Sequence, residues 1–379
     1  HSVSVVDHNG LYKLWYDAYV GVQVSEELPR SLCYTTSEDG IHWQREDVNR
    51  FVAIDSWGGT IAAWGAPRLT FFEYGVPGKR LSVHDNLERI PEVEQFARVK
   101  AEHLIQAGSG SLGDSGWLML TKKINDLFEK DPDISGIVVT HGTSSLEETA
   151  YWLDLTVKSE KPVVVTGTMR PPSAMGTESD NNLLGSIILA GSKEAKGMGV
   201  TVMLNDEINA AREVTKQNSY RIQTFGTREL GFLGYLDSDL KPMFYRRPTR
   251  KHTHQTEFNV NDMDTLPQVD VLYSYEGASD LQARALVDAE IPGIVVGSMG
   301  PGAVGEQVNN ALLDARKKGI IVVVTTRAGA GRIIRTSVYE NEGIVAGDNL
   351  SPQKARILLK LALTVTTDPE EIQKMFNVY

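Results

Sequence analysis

From Phe51 onward the chain alternates between short, wholly apolar runs and longer stretches of helical periodicity. "FVAID", "ISGIVVTHG" (134–142), "KPVVVTG" (161–167) and "GVTVMLND" (199–206) are rich in β-branched residues and end at Gly, Asp or Asn. Continuous apolar runs of that length describe parallel strands buried on both faces. Between them, "GDSGWLMLTKKINDLFEK", "SLEETAYWLDLTVKSE" and "NNLLGSIILAGSKEAK" repeat their apolar positions with helical spacing. In "SSLEETAYW", Ser144 or Ser145 is a candidate helix cap, with Glu147 and Glu148 in the first turn.

A polar stretch, "TEFNVNDMDTLPQ", precedes a second block with strands "VDVLYSY", "GIVVGS" and "GIIVVVTT". Helices are predicted at "SDLQARALVDA", "GEQVNNALLDARKKG", "SPQKARILLKLALT" and "DPEEIQKMFNVY", the last two opening on Ser351-Pro352 and Asp368-Pro369. The first fifty residues differ. "LYKLWYDAYVGV" is aromatic and β-favouring, and Ser37-Glu38-Asp39-Gly40 is a turn signal between two apolar-aromatic segments. The predicted fold class is therefore α/β, with a larger N-terminal and a smaller C-terminal α/β domain preceded by a short β-rich segment. The boundaries read as a 1–50 hairpin-like extension, a 51–256 domain, a 257–267 linker and a 268–379 domain.

Length agrees with this, since 379 residues exceed one ordinary core. A net charge of −11 argues against a polyanionic partner such as nucleic acid. The densest basic stretch, Arg246, Arg247, Arg250, Lys251 and His252, reads as a solvated loop or subunit contact. Cys33 is the one cysteine, so no intrachain disulfide forms. The longest apolar runs, such as 319–325, are too short to span a bilayer, and no membrane partner is expected. No signal peptide is visible. If His1 is a processed terminus, a secreted or periplasmic site is expected, and otherwise a cytoplasmic one. His252 and His254 lack a third ligand, so no metal or other cofactor is expected.

Sites in open parallel sheets lie beyond the carboxyl ends of the strands. Polar residues bunch there in four places. At Gly58-Gly59-Thr60 two glycines permit close backbone approach, and Thr60 carries a hydroxyl able to attack a carbonyl. At 108–111 a Gly-Ser-Gly-Ser loop can bind a carboxylate or serve as a plain turn. At His141-Gly142-Thr143-Ser144 a strand runs into a helix start, which favours developing negative charge. His141, between a buried strand and a glycine, reads as a packed structural residue before a general base. Lys216 follows a strand, and once desolvated it could deprotonate a threonine; a surface lysine is the plainer alternative.

Taken together these segments resemble the bacterial-type (type I/II) L-asparaginase family. Gly58-Gly59-Thr60-Ile61-Ala62 matches that family's first signature, and "HGTSSLEETAYWLDLTV" is similar to its second, HGTDTxEETA. "TGTMRPPSAM", "NDEINAAREVTKQN", "RRPTRKHT" and "SPQKARILLKLALT" match in order, covering 52–379. The resemblance implies an amidohydrolase acting on the side-chain amide of asparagine or an asparagine-like compound, assembled as a homotetramer of paired dimers. It implies Thr60 as the nucleophile that forms an acyl ester with release of ammonia, and Tyr74 on a lid as its activator. It implies Thr143 as the second catalytic threonine, Lys216 as its activator and Ser109 as the grip on a substrate carboxylate. Gly110, Gly142 and Ser144 complete the expected substrate contacts.

The departures fall on one function. The family's aspartate after the second threonine is Ser144 here, and the glutamine after the carboxylate-binding serine is Gly110. The asparagine lent to a neighbouring subunit aligns with Ala303, and "TTRAGAGRII" has no acidic residue. "GTESDNNL" (176–183) replaces the usual "SADGPxNL". The hydroxyls and the lysine persist, while the groups that the family uses to hold an α-ammonium do not. Two further expectations follow: an amidase for a substrate lacking a free α-amine, or a silent binder of small carboxylates. A dehydrogenase lacks its glycine-rich fingerprint. A glycosidase reading rests on "LCYTTSEDGIHW" alone, which resembles a β-propeller repeat but supplies one blade's worth of chain and no carboxylate pair.

Overall fold

The computed structural model describes residues 3–8, 11–18, 31–37, 44–45, 50–55, 58–65, 67–72, 74, 80–104, 110–111 and 113–379, the side chains from Gly58 onward. The chain divides into two compact units, His1–Val48 and Asn49–Tyr379.

The first unit is an antiparallel sheet of β1 (Val3–His8), β2 (Leu11–Ala18), β3 (Ser31–Ser37) and β4 (Gln44–Arg45), paired in sequence order. The expected turn lies between β3 and β4, at 38–40, outside the described residues.

The second unit opens on β5 (Arg50–Asp55), followed by α1 (Val83–Glu88), β6 (Arg98–His103), α2 (Gly113–Lys130), β7 (Ile134–Thr140) and α3 (Leu146–Thr156). Then come β8 (Val163–Thr166), α4 (Ser179–Gly191), β9 (Val200–Leu204) and β10 (Glu207–Ala210). A two-stranded piece, β11 (Thr215–Lys216) with β12 (Phe225–Gly226), stands outside the main sheet. β13 (Gly234–Leu236) and β14 (Pro242–Phe244) finish an eight-stranded sheet ordered β14-β13-β10-β9-β8-β7-β5-β6. From β6 to β9 its pairs are parallel, and from β9 to β14 antiparallel. All residues of β8 and β9 are buried, as their unbroken apolar runs require.

The smaller domain is a parallel sheet of β15 (Val269–Tyr273), β16 (Gly293–Ser298), β17 (Ile321–Thr326) and β18 (Val345–Ala346). Its helices are α5 (Leu281–Asp288), α6 (Glu306–Lys317), α7 (Ser337–Glu342), α8 (Pro352–Ala362) and α9 (Pro369–Val378). Two α/β domains are thus present, the larger first. α3 packs against α8, and one core runs from Trp117, Trp152 and Val165 through to Val295, Leu358 and Phe376.

Two readings of the polar segments change. The stretch read as a polar linker is docked: Phe258 and Val260 are fully buried, and the Phe258 ring lies 5.1 Å from that of Tyr379. Its apolar residues are isolated among polar ones, so neither strand nor helix periodicity reveals them. The basic stretch is not simply solvated. Arg250 reaches Asp348 at 2.7 Å, Arg246 reaches Glu213 at 2.6 Å, and His252 is buried. Arg212 joins the same Asp348 at 3.1 Å and donates to the Tyr379 carbonyl at 2.9 Å, tying the domains together.

Candidate active site

β5 and β7 are adjacent and parallel, with Asp55 opposite Thr140, so the loops that follow them emerge side by side. After β5 the chain turns at Gly59, whose φ of 45° and ψ of −141° suit only a residue without a side chain. Thr60 then begins a single turn of 3-10 helix, Thr60–Ala62. After β7 come His141, Gly142 and Thr143, leading into α3.

The two loops touch backbone to backbone. A Cβ placed on Gly59 would lie 2.2 Å from Gly142 Cα and 2.8 Å from its nitrogen. Gly167, after β8, closes from the other side, where a Cβ would lie 2.4 Å from the His141 carbonyl oxygen. Three consecutive strand ends are thus pressed together through positions that have no side chain.

Two polar pairs sit on these loops. Thr60 Oγ1 is 2.8 Å from the Tyr74 hydroxyl; Thr60 is buried and Tyr74 half-buried. Lys216 Nζ donates to Thr143 Oγ1 at 2.9 Å. Burial holds the Lys216 ammonium below its ordinary pKa, and the nearby Glu147 carboxylate opposes that shift. Lys216 is brought in by β11, whose pairing with Phe225 of β12 fixes its backbone.

The remaining expected residues are placed as follows. Gly142 supplies the backbone contact with Gly59. Ser144 is exposed. Gly110 is exposed in a turn, with open space where a side chain would point. Ser109 lies outside the described residues. Ser145 is the residue before α3, without a side-chain cap bond to the helix. His141 is fully buried, its Nδ1 is 2.8 Å from the Gly142 carbonyl, and desolvation pushes its pKa down to about 4. A neutral ring bonded to its own loop matches the structural reading of this histidine.

Three residues at the site carried no functional signal in the sequence. Glu147 Oε2 accepts from the Lys216 backbone N–H at 2.5 Å, and its Oε1 accepts from Gln353 Nε2 at 2.7 Å. Lys354 Nζ donates to the carbonyls of Ala211, Arg212 and Val214. Glu147 stands four residues after Thr143, where a first-turn acid is ordinary helix chemistry. Gln353 and Lys354 come from the other domain, and no spacing rule relates them to Lys216.

Among the described residues no group of three metal-ligating side chains occurs, and no helix is long and apolar enough to cross a membrane.

Comparison with known proteins agrees with the motif resemblance. The model of the family described as Asparaginase, N-terminal, matches residues 51–250. That of the Glutaminase/Asparaginase C-terminal domain matches 268–376. The chain is 43% identical over 330 residues to L-asparaginase 2 of Bacillus subtilis, covering 86% of each. It is 42% identical to L-asparaginase 2 of Escherichia coli, covering 86% of this chain and 93% of that one. The crystal structure of a probable cytoplasmic L-asparaginase from Campylobacter jejuni superposes with a TM-score of 0.82 at 38% identity, covering 87% of this chain and 100% of that one. A probable periplasmic L-asparaginase of Haemophilus influenzae is 39% identical, covering 86% of this chain and 92% of that one, so the relatives favour neither compartment. With both domains matched, this chain is an amidohydrolase of the asparaginase family.

Proposed function

We propose that this protein hydrolyses the side-chain amide of asparagine or an asparagine-like compound through an acyl ester on Thr60. The observation that carries the reading is the Gly59–Gly142 contact, which joins the loop bearing the Thr60–Tyr74 pair to the loop bearing the Thr143–Lys216 pair. Thr60 Oγ1 adds to the amide carbon, and its proton passes by way of Tyr74 to the departing nitrogen. The C–N bond breaks, ammonia leaves, and the acyl group stays on Thr60. Water then adds to the ester, losing a proton to the Thr143–Lys216 pair. The ester C–O bond breaks, the acid departs, and the proton returns to Thr60. Lys216 suits this role because its partly buried amine gives up its proton more readily than an exposed lysine. Backbone N–H groups of Thr60 and Thr143 are suited to the oxyanion.

A second reading concerns the substrate. Glu147 is the carboxylate in contact with the Thr143–Lys216 pair, and both of its oxygens are already engaged. Ser144 is uncharged and exposed, and Gly110 offers no side chain. Neither position supplies the negative charge that a substrate ammonium would pair with, and an unpaired buried charge costs several kcal/mol, roughly. This favours an amide lacking a free α-amine. Homotetrameric assembly belongs to the same proposal and is checked by the mass in solution.

The test is ammonia release from L-asparagine, N-acetyl-L-asparagine and succinamate, each with a Thr60→Ala control. Thr60-dependent turnover of any of them supports the amidase reading. A clear preference for free L-asparagine overturns the second reading. Turnover unaffected by Thr60→Ala overturns the acyl-ester mechanism.

A further inference from the structure

Lys216 sits on a strand of only two residues, paired with another equally short. Such a ribbon is marginal by itself, yet it must hold an amine within 2.9 Å of the Thr143 hydroxyl. Part of what steadies it comes from α8 of the smaller domain. Gln353, second residue of α8, donates to Glu147 Oε1 at 2.7 Å. Glu147 is itself 6% exposed, and its other oxygen accepts the Lys216 backbone N–H. The next residue, Lys354, is 2% exposed and spends its ammonium on the carbonyls of Ala211, Arg212 and Val214, the turn that leads into β11.

We infer that α8 is a clamp on the Lys216 segment, and that Gln353 is a positioning residue acting on the Thr143–Lys216 pair through Glu147. The inference rests on the catalytic role proposed for Lys216. Thr143 and Glu147 lie on one short stretch, so Lys216 is tied to that stretch twice, by Nζ to Thr143 and by its backbone N–H to Glu147. The second tie holds only while the Glu147 carboxylate keeps one orientation. A carboxylate is free to turn about its last torsion, and a donor on Oε1 removes that freedom. The Gln353 amide is that donor, and it reaches across the domain boundary. The smaller domain thereby has a part in the chemistry without contributing a group to the reacting atoms.

The test uses the full chain and five variants: Lys216→Met, Gln353→Glu, Gln353→Ala, Glu147→Ala, and the last two combined. With the best of the three amides as probe, Gln353→Ala is expected to lower kcat about tenfold with KM within twofold, as for an interaction used only in the transition state. In the Glu147→Ala background the same change is expected to have less than a twofold effect, because its route is already cut. Gln353→Glu gives a pH signature that loosened packing would not. Two carboxylates in contact repel unless they share a proton. The ratio of its rate to that of the parent is therefore expected to be higher at pH 6 than at pH 8.

Hydrogen exchange gives a reading independent of turnover. The Lys216 amide is expected to exchange at least tenfold faster in Gln353→Ala, while amides of α4 stay unchanged. Unchanged exchange with unchanged kcat overturns the inference while leaving the proposed reaction standing. Full activity in Lys216→Met overturns the role of Lys216, and the positioning inference with it. Additive effects of Gln353→Ala and Glu147→Ala overturn the route through Glu147.

Discussion

Replacing Gly59 by alanine is the sharpest probe of how the two loops of the proposed site are joined. The new Cβ would sit 2.2 Å from Gly142 Cα, where ordinary contact begins at 3.4 Å, so the loops must part by 1.2 Å (3.4 − 2.2) or the methyl must find room elsewhere. Room is scarce, because the neighbour is backbone and Gly167 closes the same loop from its other side. Gly59 also has φ of 45°, a region that costs an L-residue about 1–2 kcal/mol. Forcing atoms into a packed position adds about 1–3 kcal/mol. Stability should therefore fall by about 2–5 kcal/mol. The functional effect should be larger in proportion, since displacing a reacting group by about 1 Å costs on the order of 100-fold in rate. The assay is kcat/KM for ammonia release beside thermal unfolding of the same preparation. Gly305→Ala is the control, because a Cβ there meets nothing nearer than 3.8 Å and the residue caps α6, outside the site. A folded Gly59→Ala protein retaining more than about one third of parental kcat/KM would refute the claim that this contact sets the geometry.

Other consequences can be checked with the same preparations. Lys216→Met should lower kcat about 100-fold or more while leaving Tm within a few degrees; in the parent, activity should rise with pH as the amine deprotonates, at a pH below that of an exposed lysine, because burial depresses its pKa. Asp154 is buried and its pKa is raised to about 7 by desolvation, so the folded state holds more protons than the unfolded one between the ordinary value of 3.8 and 7. Its contribution is fully present below that window and is lost as pH rises through it. Asp154→Asn, which keeps an acceptor for the Val200 N–H, should be less destabilised than the parent between pH 4 and pH 8; equal losses would sink the assignment. Phe258→Ala should cost about 3–5 kcal/mol in denaturant unfolding if the polar connection is truly part of the core, and a loss under about 1 kcal/mol would return it to the status of a tether.

The sequence was most informative where one kind of constraint acted alone. The runs that became β7, β8, β9, β16 and β17 are unbroken and apolar because both faces of those strands are covered. α2 begins and ends with the predicted segment, Gly113 to Lys130. β6 was not legible: its burial alternates at the sheet edge, and Arg98, Lys100, Glu102 and His103 break the apolar pattern. The hairpins β10, β13 and β14 are three or four residues each, too short for a period to register. At the site, Thr60, Thr143 and Lys216 could be named from motif resemblance, but their pairing depends on contacts between distant segments. The ion pairs of the Arg246–His252 stretch went unseen for the same reason, since the carboxylates that receive Arg246 and Arg250 lie at Glu213 and Asp348.

The arrangement also bears on how both domains would serve the proposed chemistry. The larger domain alone contains both hydroxyls, the amine and the glycines that bring their loops together. Its support at Lys216 is short, since that strand stands outside the main sheet and pairs with only two residues. An amine held loosely would spend much of its time away from Thr143, and a proton relay works only at hydrogen-bond distance. The same segment carries carbonyls that a buried turn must satisfy, and Lys354 satisfies three of them with one ammonium. Its pKa is drawn down to about 8 by that burial, so its charge is held at a cost, and the fold gains stability as pH rises from about 8 toward the ordinary 10.5. Anything that loosens α8 from α3 should then act on the relay before it unfolds either domain, with kcat falling while both sheets remain intact.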